Sequence, residues 1–337
     1  MAKGEATAGG VDQSLNRHEK RIWEMVALTP AKSLWDLRGV SVRYVARRMW
    51  NAMLHDRLFS IAAELGFYFL FAVFPMLICA SSILGLAARS AAKFYDHLLT
   101  YLALVIPTSA LGTVVTTFNQ TTASSTSGKI TFGLIAALWA ASTGVSAVQD
   151  TMNAVYKIVD RRSFLKAKIQ AIGLTILLTC TISLCLASLF LGDFVVAWLH
   201  RAMQGRMMGG TSEMVVRVLG WILAAAFLAL SFALTYYWAP DLRKRQWHWI
   251  TPGALLGIAG WLLASVGFRL YLHFFNSYSV TYGSLGAVII LLMWFYITGL
   301  MLLIGAEFNS ELEAAAMEAK LARESTAGEP LPIAPAA

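Results

Sequence analysis

Charge is scarce in this sequence. Asp, Glu, Lys and Arg make up 14% of its 337 residues, where a soluble domain carries about 25%. Too few charges remain to cover a water-exposed surface, which excludes a soluble globular fold. Cysteine is nearly absent as well. Cys79, Cys180 and Cys185 all lie inside apolar runs, and without a CxxC pair or Cys/His spacing they read as small packing residues rather than disulfide or zinc partners. The histidines, His18, His55, His97, His200, His248 and His273, are scattered without ligand spacing, and no GxxxxGK loop occurs. No metal, phosphate cradle or cofactor is therefore expected. Nor is a cleavable signal peptide, because the chain opens on a polar tail and its first apolar run, near Leu58, is long enough to act as an uncleaved anchor.

Hydrocarbon fills the sequence instead. Hydrophobic residues make up 58% and mean hydropathy is +0.61, so lipid is the expected solvent. Six runs approach or exceed the roughly 20 residues that a spanning helix needs: 58–86, 130–156, 165–192, 214–238, 250–275 and 283–310. The expected fold is all-α, a polytopic membrane protein of six transmembrane helices. Its basic residues set the orientation. Twenty Lys and Arg fall in residues 1–57, 157–168, 239–249 and the C-terminal tail, against five in the alternate connections. This positive-inside pattern puts both termini in the cytoplasm. It also accounts for the net charge of +8 without a nucleic-acid partner.

The flanks follow from composition. Residues 1–33 lack sustained periodicity and read as a mobile cytoplasmic tail. Residues 34–57 place Leu37, Val40, Tyr44, Trp50 and Met53 at roughly helical intervals among five arginines, an amphipathic helix suited to an anionic leaflet or to packing on the bundle. The transmembrane domain covers 58–311. Between its first two spans, residues 87–129 should form an outer helical cap, in which Leu98–Pro107 lies at the interface or dips into it. Beyond 311, Glu/Ala-rich sequence should prolong the last helix before a disordered tail ends at 337.

Within the spans, polar residues are the informative minority. Ser142, Ser146, Gln149, Asn153 and Tyr156 recur at i, i+4, i+7, i+11 and i+14, one face of the second span, with Asp150 beside it. Such a stripe avoids lipid, so it serves as interhelical hydrogen-bond glue or as the wall of a hydrated pathway. Gly253, Gly257, Gly260, Ala264 and Gly267 repeat that spacing on the fifth span, a face for close helix approach. Glu64, Asp150 and Glu307 should share an inner depth. They read either as a proton or cation relay or as ion pairs with the basic inner loops. Arg269 sits at an outer depth, where it pairs structurally or attracts an anionic headgroup, and Pro75 should kink the first span.

The stretches AELGFYFLFAVFPML (63–77), WAASTGVSAVQDTMNAVY (139–156), YYWAPDLRKRQWHWITPGALLG (236–257), the region of Tyr271 and YGSLGAVIILLMWFYITGLMLLIGAE (282–307) together resemble the YihY/BrkB family of bacterial inner-membrane proteins. The resemblance covers about residues 40–312. It implies a six-helix inner-membrane protein, a virulence association and an older label, ribonuclease BN. By motif it carries over Tyr68, Pro75, Trp139, Asn153, Tyr156, Pro240, Gly253, Tyr271, Tyr282, Gly283, Trp294, Gly305 and Glu307. Glu64 and Gly66 depart from the small apolar residues more usual there.

Function follows from the concealed polar groups. The leading expectation is a transporter or flippase-like protein moving a small solute, ion or envelope lipid, with Ser146, Gln149, Asp150, Asn153, Glu64, Glu307 and Arg269 along its route. A non-transporting scaffold for envelope assembly is the alternative. RNA hydrolysis needs clustered metal ligands or an acid/base pair on a surface that RNA reaches, and the candidate carboxylates lie within lipid. The expected partners are membrane lipids and an unknown solute or lipid substrate, and the apolar faces leave room for self-association.

Overall fold

The structure, a computed structural model, describes residues 17–28, 35, 41–86, 112, 116, 127–202, 210–243, 246–274 and 284–326. Long apolar runs with few breakers favour helix, and every extended element here is one: α1 (Arg17–Leu28), α2 (Val42–His55), α3 (Leu58–Leu86), α4 (Ser127–Val155), α5 (Phe164–Ala202), α6 (Gly210–Trp238), α7 (Pro252–Phe274) and α8 (Ser284–Thr326). No strand occurs among the described residues. Their ends obey local chemistry. Pro252 opens α7 at the first helical position, where its missing N–H is no loss, and the Thr251 hydroxyl accepts the Ala254 N–H at 3.0 Å as a cap. At the end of α4, the N–H of Ile158 reaches the Asn153 carbonyl and that of Lys157 the Ala154 carbonyl. This closing turn places Lys157 at φ 55°, a position where glycine is the usual residue.

Among the described residues, four helices hold stretches long and apolar enough to cross a membrane: Phe164–Phe190, Met214–Trp238, Pro252–Phe274 and Leu285–Arg323. The expectation of six is thus met at four. In α3 the described apolar stretch is the shorter Leu58–Val73. α4 has the length, at 29 residues, and gathers Ser142, Thr143, Ser146, Gln149, Asp150, Thr151 and Asn153 in its second half.

The most extensive pairings are α3 with α4, α5 with α6 and α7 with α8, and α8 packs in addition on α1, α2, α3 and α4. α8 is therefore the axis of the bundle. Its 43 residues span about 65 Å at 1.5 Å per residue, twice what a hydrocarbon layer of about 30 Å requires. The surplus is its C-terminal half, and α1 and α2 wrap that half. Ile22, Trp23, Met25 and Val26 of α1 bury against Ala314 and Met317, so residues 17–28, expected in a mobile tail, form a packed helix. Their apolar positions fall on one face, which burial against α8 rewards. Val45 of α2 packs on Leu312 and Ala315, while Tyr44, Trp50 and Leu54 stay exposed.

The largest buried cluster gathers Met53, Leu58 and Leu65 with Met152, Val155, Leu234, Leu303 and Ala306, near the end of the bundle where α4 meets α5 and α6 meets α7. We call this the polar end. A smaller cluster of Phe268, Ile290 and Leu291 marks the opposite end. Of the expected cap between the first two spans, Gly112 and Thr116 are described, both helical. The rest of 87–126 lies outside the described residues, as do Tyr282 and Gly283.

Candidate functional site: charge buried at the polar end

Five charged side chains meet where α2, α3, α4 and α8 converge. Glu307 is fully buried, and neither of its carboxylate oxygens has a hydrogen-bond partner among the described residues. Its charged neighbours are Glu311, Asp56 and Lys157. One helical turn on, buried Glu311 accepts the Nε–H of Arg48 and lies 3.8 Å from the Lys157 Nζ. The same ammonium stands 3.4 Å from Asp56 and over the Trp23 ring at 5.1 Å. Arg48 also donates to Glu318, which accepts the Tyr44 hydroxyl at 3.2 Å. Burial opposes the Arg48 charge, yet the carboxylates of Glu311 and Glu318 outweigh it and raise its pKa. Asp56, Glu307, Glu311 and, at the rim, Glu318 face two cations, Arg48 and Lys157. The carboxylates outnumber the cations. The left-handed turn at Lys157 makes the arrangement possible by turning its side chain back toward Asp56 and Glu311.

A second network ties the two short loops together. The Asn153 amide donates to Asp160 at 3.0 Å and its carbonyl accepts the Asp241 N–H at 2.8 Å. Arg162 grips Asp160 in a fork, at 2.9 Å from Nε and 2.6 Å from the second nitrogen, and reaches Gln170 at 3.0 Å. Gln170 in turn donates to the Trp238 carbonyl at 2.6 Å. Burial alone would raise the Asp160 pKa. The Arg162 hydrogen bonds and charge override it and leave the carboxyl below its ordinary value.

Helices α7 and α8 meet along a seam of small residues, but only at this end. A Cβ on Gly253 would overlap the Gly305 carbonyl and the Asn309 side chain, and one on Gly305 would overlap the Tyr236 hydroxyl and the Gly253 carbonyl. Asn309 locks the seam by accepting the Gly253 N–H at 2.8 Å and donating to Thr251 at 2.8 Å. Tyr236 donates to the Leu302 carbonyl at 2.9 Å. Among the described residues nothing approaches within 4 Å of a Cβ built on Gly267, so the expected small-residue face opens before the far end.

Ser142, Gln149, Asn153 and Tyr156 are buried on one face of α4, and Ser146 is half-buried. The hydroxyls of Ser142 and Ser146 bond their own helix, to the carbonyls of Trp139 and Ser142, and the Gln149 amide nitrogen has no partner among the described residues. Glu64, Asp150 and Arg269 are exposed. The three carboxylates do not form one cluster. Asp150 has Asp160, Arg162 and Glu64 as charged neighbours, whereas Glu307 belongs with Glu311, Asp56 and Lys157. Of the motif residues, Pro240, Gly253 and Gly305 are buried and Tyr68 and Trp294 half-buried. Trp139 is exposed beneath the Lys168 ammonium at 4.6 Å, and Tyr271 stacks on Phe268. α3 continues through Pro75.

Sequence reasoning missed Arg48, Asp56, Glu311, Glu313, Glu318, Asp160, Arg162 and Asp241. A signal existed for two of them: seven residues separate Glu311 from Glu318, which puts both carboxylates on one helical face.

Comparison with known proteins identifies the family. A family model described as virulence factor BrkB matches residues 49–329. The putative ribonuclease-like protein YfkH of Bacillus subtilis (strain 168) is 32% identical over 259 residues, 75% of this chain and 89% of that protein. A UPF0761 membrane protein of Xanthomonas oryzae pv. oryzae is 28% identical over 270 residues, 80% of this chain. Another, of Stenotrophomonas maltophilia (strain K279a), is 27% identical over 270 residues. The match spans 60% of the length of each of these two UPF0761 relatives. No solved structure matches. The match runs from the second half of α2 past the end of α8 and takes in Asp56, Lys157, Glu307 and Glu311, beginning one residue after Arg48: the chain is a membrane protein and belongs to the BrkB family.

Proposed function

We propose that this protein is an inner-membrane transporter or flippase-like carrier that moves a small solute, an ion or an envelope lipid past the polar end of its bundle. In this reading α3 to α8 supply six spans, both termini are cytoplasmic, and the polar end faces the cytoplasm. The excess of Lys and Arg in its loops supports that orientation.

One observation carries the proposal: Glu307 is wholly enclosed, without a hydrogen-bond partner among the described residues, and in a cluster whose carboxylates outnumber its cations. An uncompensated buried charge is expensive. A site of that kind is served by a proton or cation passing through, which is a common use of acidic groups inside transporters. The buried face of α4, with Ser142, Gln149 and Asn153, supplies polar groups along the same bundle. The scaffold reading draws on the apolar packing of α1 and the Arg48 ion pairs of α2 that fasten them to α8. YfkH is named ribonuclease-like, but among the described residues no three His, Cys, Asp or Glu side chains gather as metal ligands, so RNA hydrolysis is not the reading adopted.

The test uses proteoliposomes loaded with a pH-sensitive dye and labelled with a fluorescent phospholipid. Wild type is expected to move protons or lipid, and Glu307→Gln to slow that movement at least about tenfold while eluting as folded protein. Unchanged flux in Glu307→Gln removes the residue from the mechanism. A wild type inert in both assays favours the scaffold.

A further inference from the structure

A second buried carboxylate lies on another face of α8, away from the Glu307 cluster. Glu313 is 7% exposed, and its Oε2 has no hydrogen-bond partner among the described residues. It lines a cavity of about 30 Å³ with Tyr156, Tyr236, His248, Thr251 and Asn309. That volume admits one small ion or one or two waters. Residues from four segments line it: the end of α4, the end of α6, the connection from α6 to α7, and α8.

We infer that this cavity is a binding site for one monovalent cation of sodium size, with the Glu313 carboxylate as its charged ligand. The donor set fits that class. A hard cation takes oxygen ligands, and the walls offer a carboxylate and the hydroxyls of Tyr156 and Tyr236. The Tyr236 proton is committed to the Leu302 carbonyl, so its oxygen turns lone pairs rather than hydrogen to the cavity. Thr251 already accepts from Ala254 and Asn309, which spends both of its lone pairs and makes it part of the wall rather than a ligand. A single carboxylate balances a single positive charge. A divalent or transition metal would call for more acidic or imidazole ligands, and among the described residues no such group assembles. The position also gives the ion a structural consequence, because it would join α8 to the loop that holds α6 and α7. This inference does not rest on the transport reading, since binding is measured without flux and on a different residue.

The experiment is equilibrium binding of radioactive sodium to the purified full-length protein in detergent, with thermal midpoints measured in sodium against choline chloride at equal ionic strength. Wild type is expected to bind saturably, close to about one ion per chain, with a midpoint that rises with sodium concentration. Glu313→Gln should weaken sodium affinity at least about tenfold and flatten the midpoint's dependence, and Glu313→Asp should fall between. Two results overturn the site: a wild type indifferent to sodium, or a Glu313→Gln variant that binds it unchanged. A larger midpoint rise from magnesium than from sodium overturns the assignment of charge. If Glu313→Gln fails to fold, Glu313→Asp decides, because weakened binding supports the site and unaltered binding refutes it.

Discussion

The two halves of α8 belong to one unbroken helix and invert the usual relation between polarity and burial. Its first half is apolar, yet Leu285 is 58% exposed and Met293 43%. The second half carries Glu307, Asn309, Ser310, Glu311 and Glu313, and all five are buried. In water such a helix would be unstable. In a membrane protein lipid can solvate the first half, whereas the second must find its solvent in the protein: in α1, α2, the ends of α4 and α6, and the start of α7. The lesson is that the polar end is built by side-chain partners and the far end by hydrocarbon.

If that is so, substitutions at the polar end should cost far more than equivalent ones at the other. The largest effect is expected from Gly305→Val, which drives atoms into the Tyr236 hydroxyl and the Gly253 backbone. A loss of about 3 kcal/mol or more should appear as poor recovery of monodisperse protein and a lowered thermal midpoint. Gly267→Ala, with open space around it, should instead change stability by less than about 1 kcal/mol, on the stabilising side, through helix propensity. Next is Arg48→Ala, which strands Glu311 in the interior and should cost about 2–4 kcal/mol. Removing Glu311 as well should recover part of that loss, and a thermal-unfolding cycle over both sites reads the coupling. Asn153→Ala opens the link between the two loops and should cost about 1–3 kcal/mol, again by thermal unfolding.

The smallest effect concerns pH. Because Arg162 holds Asp160 below its ordinary pKa, the contribution of that pair is fully present above the unfolded value of about 3.9. It is lost as pH falls through the lower folded value. Stability measured from pH 6 downward should therefore drop less steeply in Asp160→Asn than in wild type.

Much of this was legible in the sequence. The apolar runs of α5 to α8 announce themselves, because length and composition suffice to identify them. The polar stripe of α4 pointed inward for the same elementary reason, since lipid rejects it: Ser142, Gln149, Asn153 and Tyr156 are buried. Two things were not legible. The helical phase of a nearly all-apolar helix is weakly marked, so Glu64 could be assigned to the interior although it is exposed. Long-range pairing leaves no trace in a single chain either: Arg48 and Glu311 lie 263 positions apart, and neither residue type predicts the other. The packed helix at 17–28 was hidden because its partner face, Ala314 and Met317, belongs to a segment of α8 that resembles an ordinary solvated extension.

Chemical modification of the unaltered protein addresses the inversion most directly. In detergent, a water-soluble carbodiimide with glycine ethyl ester, read by peptide mass spectrometry, should label exposed Glu24 readily. Glu307, Glu311 and Glu313 should stay unmodified until the protein is unfolded. Labelling of Glu307 as fast as Glu24 in the folded state would contradict the account.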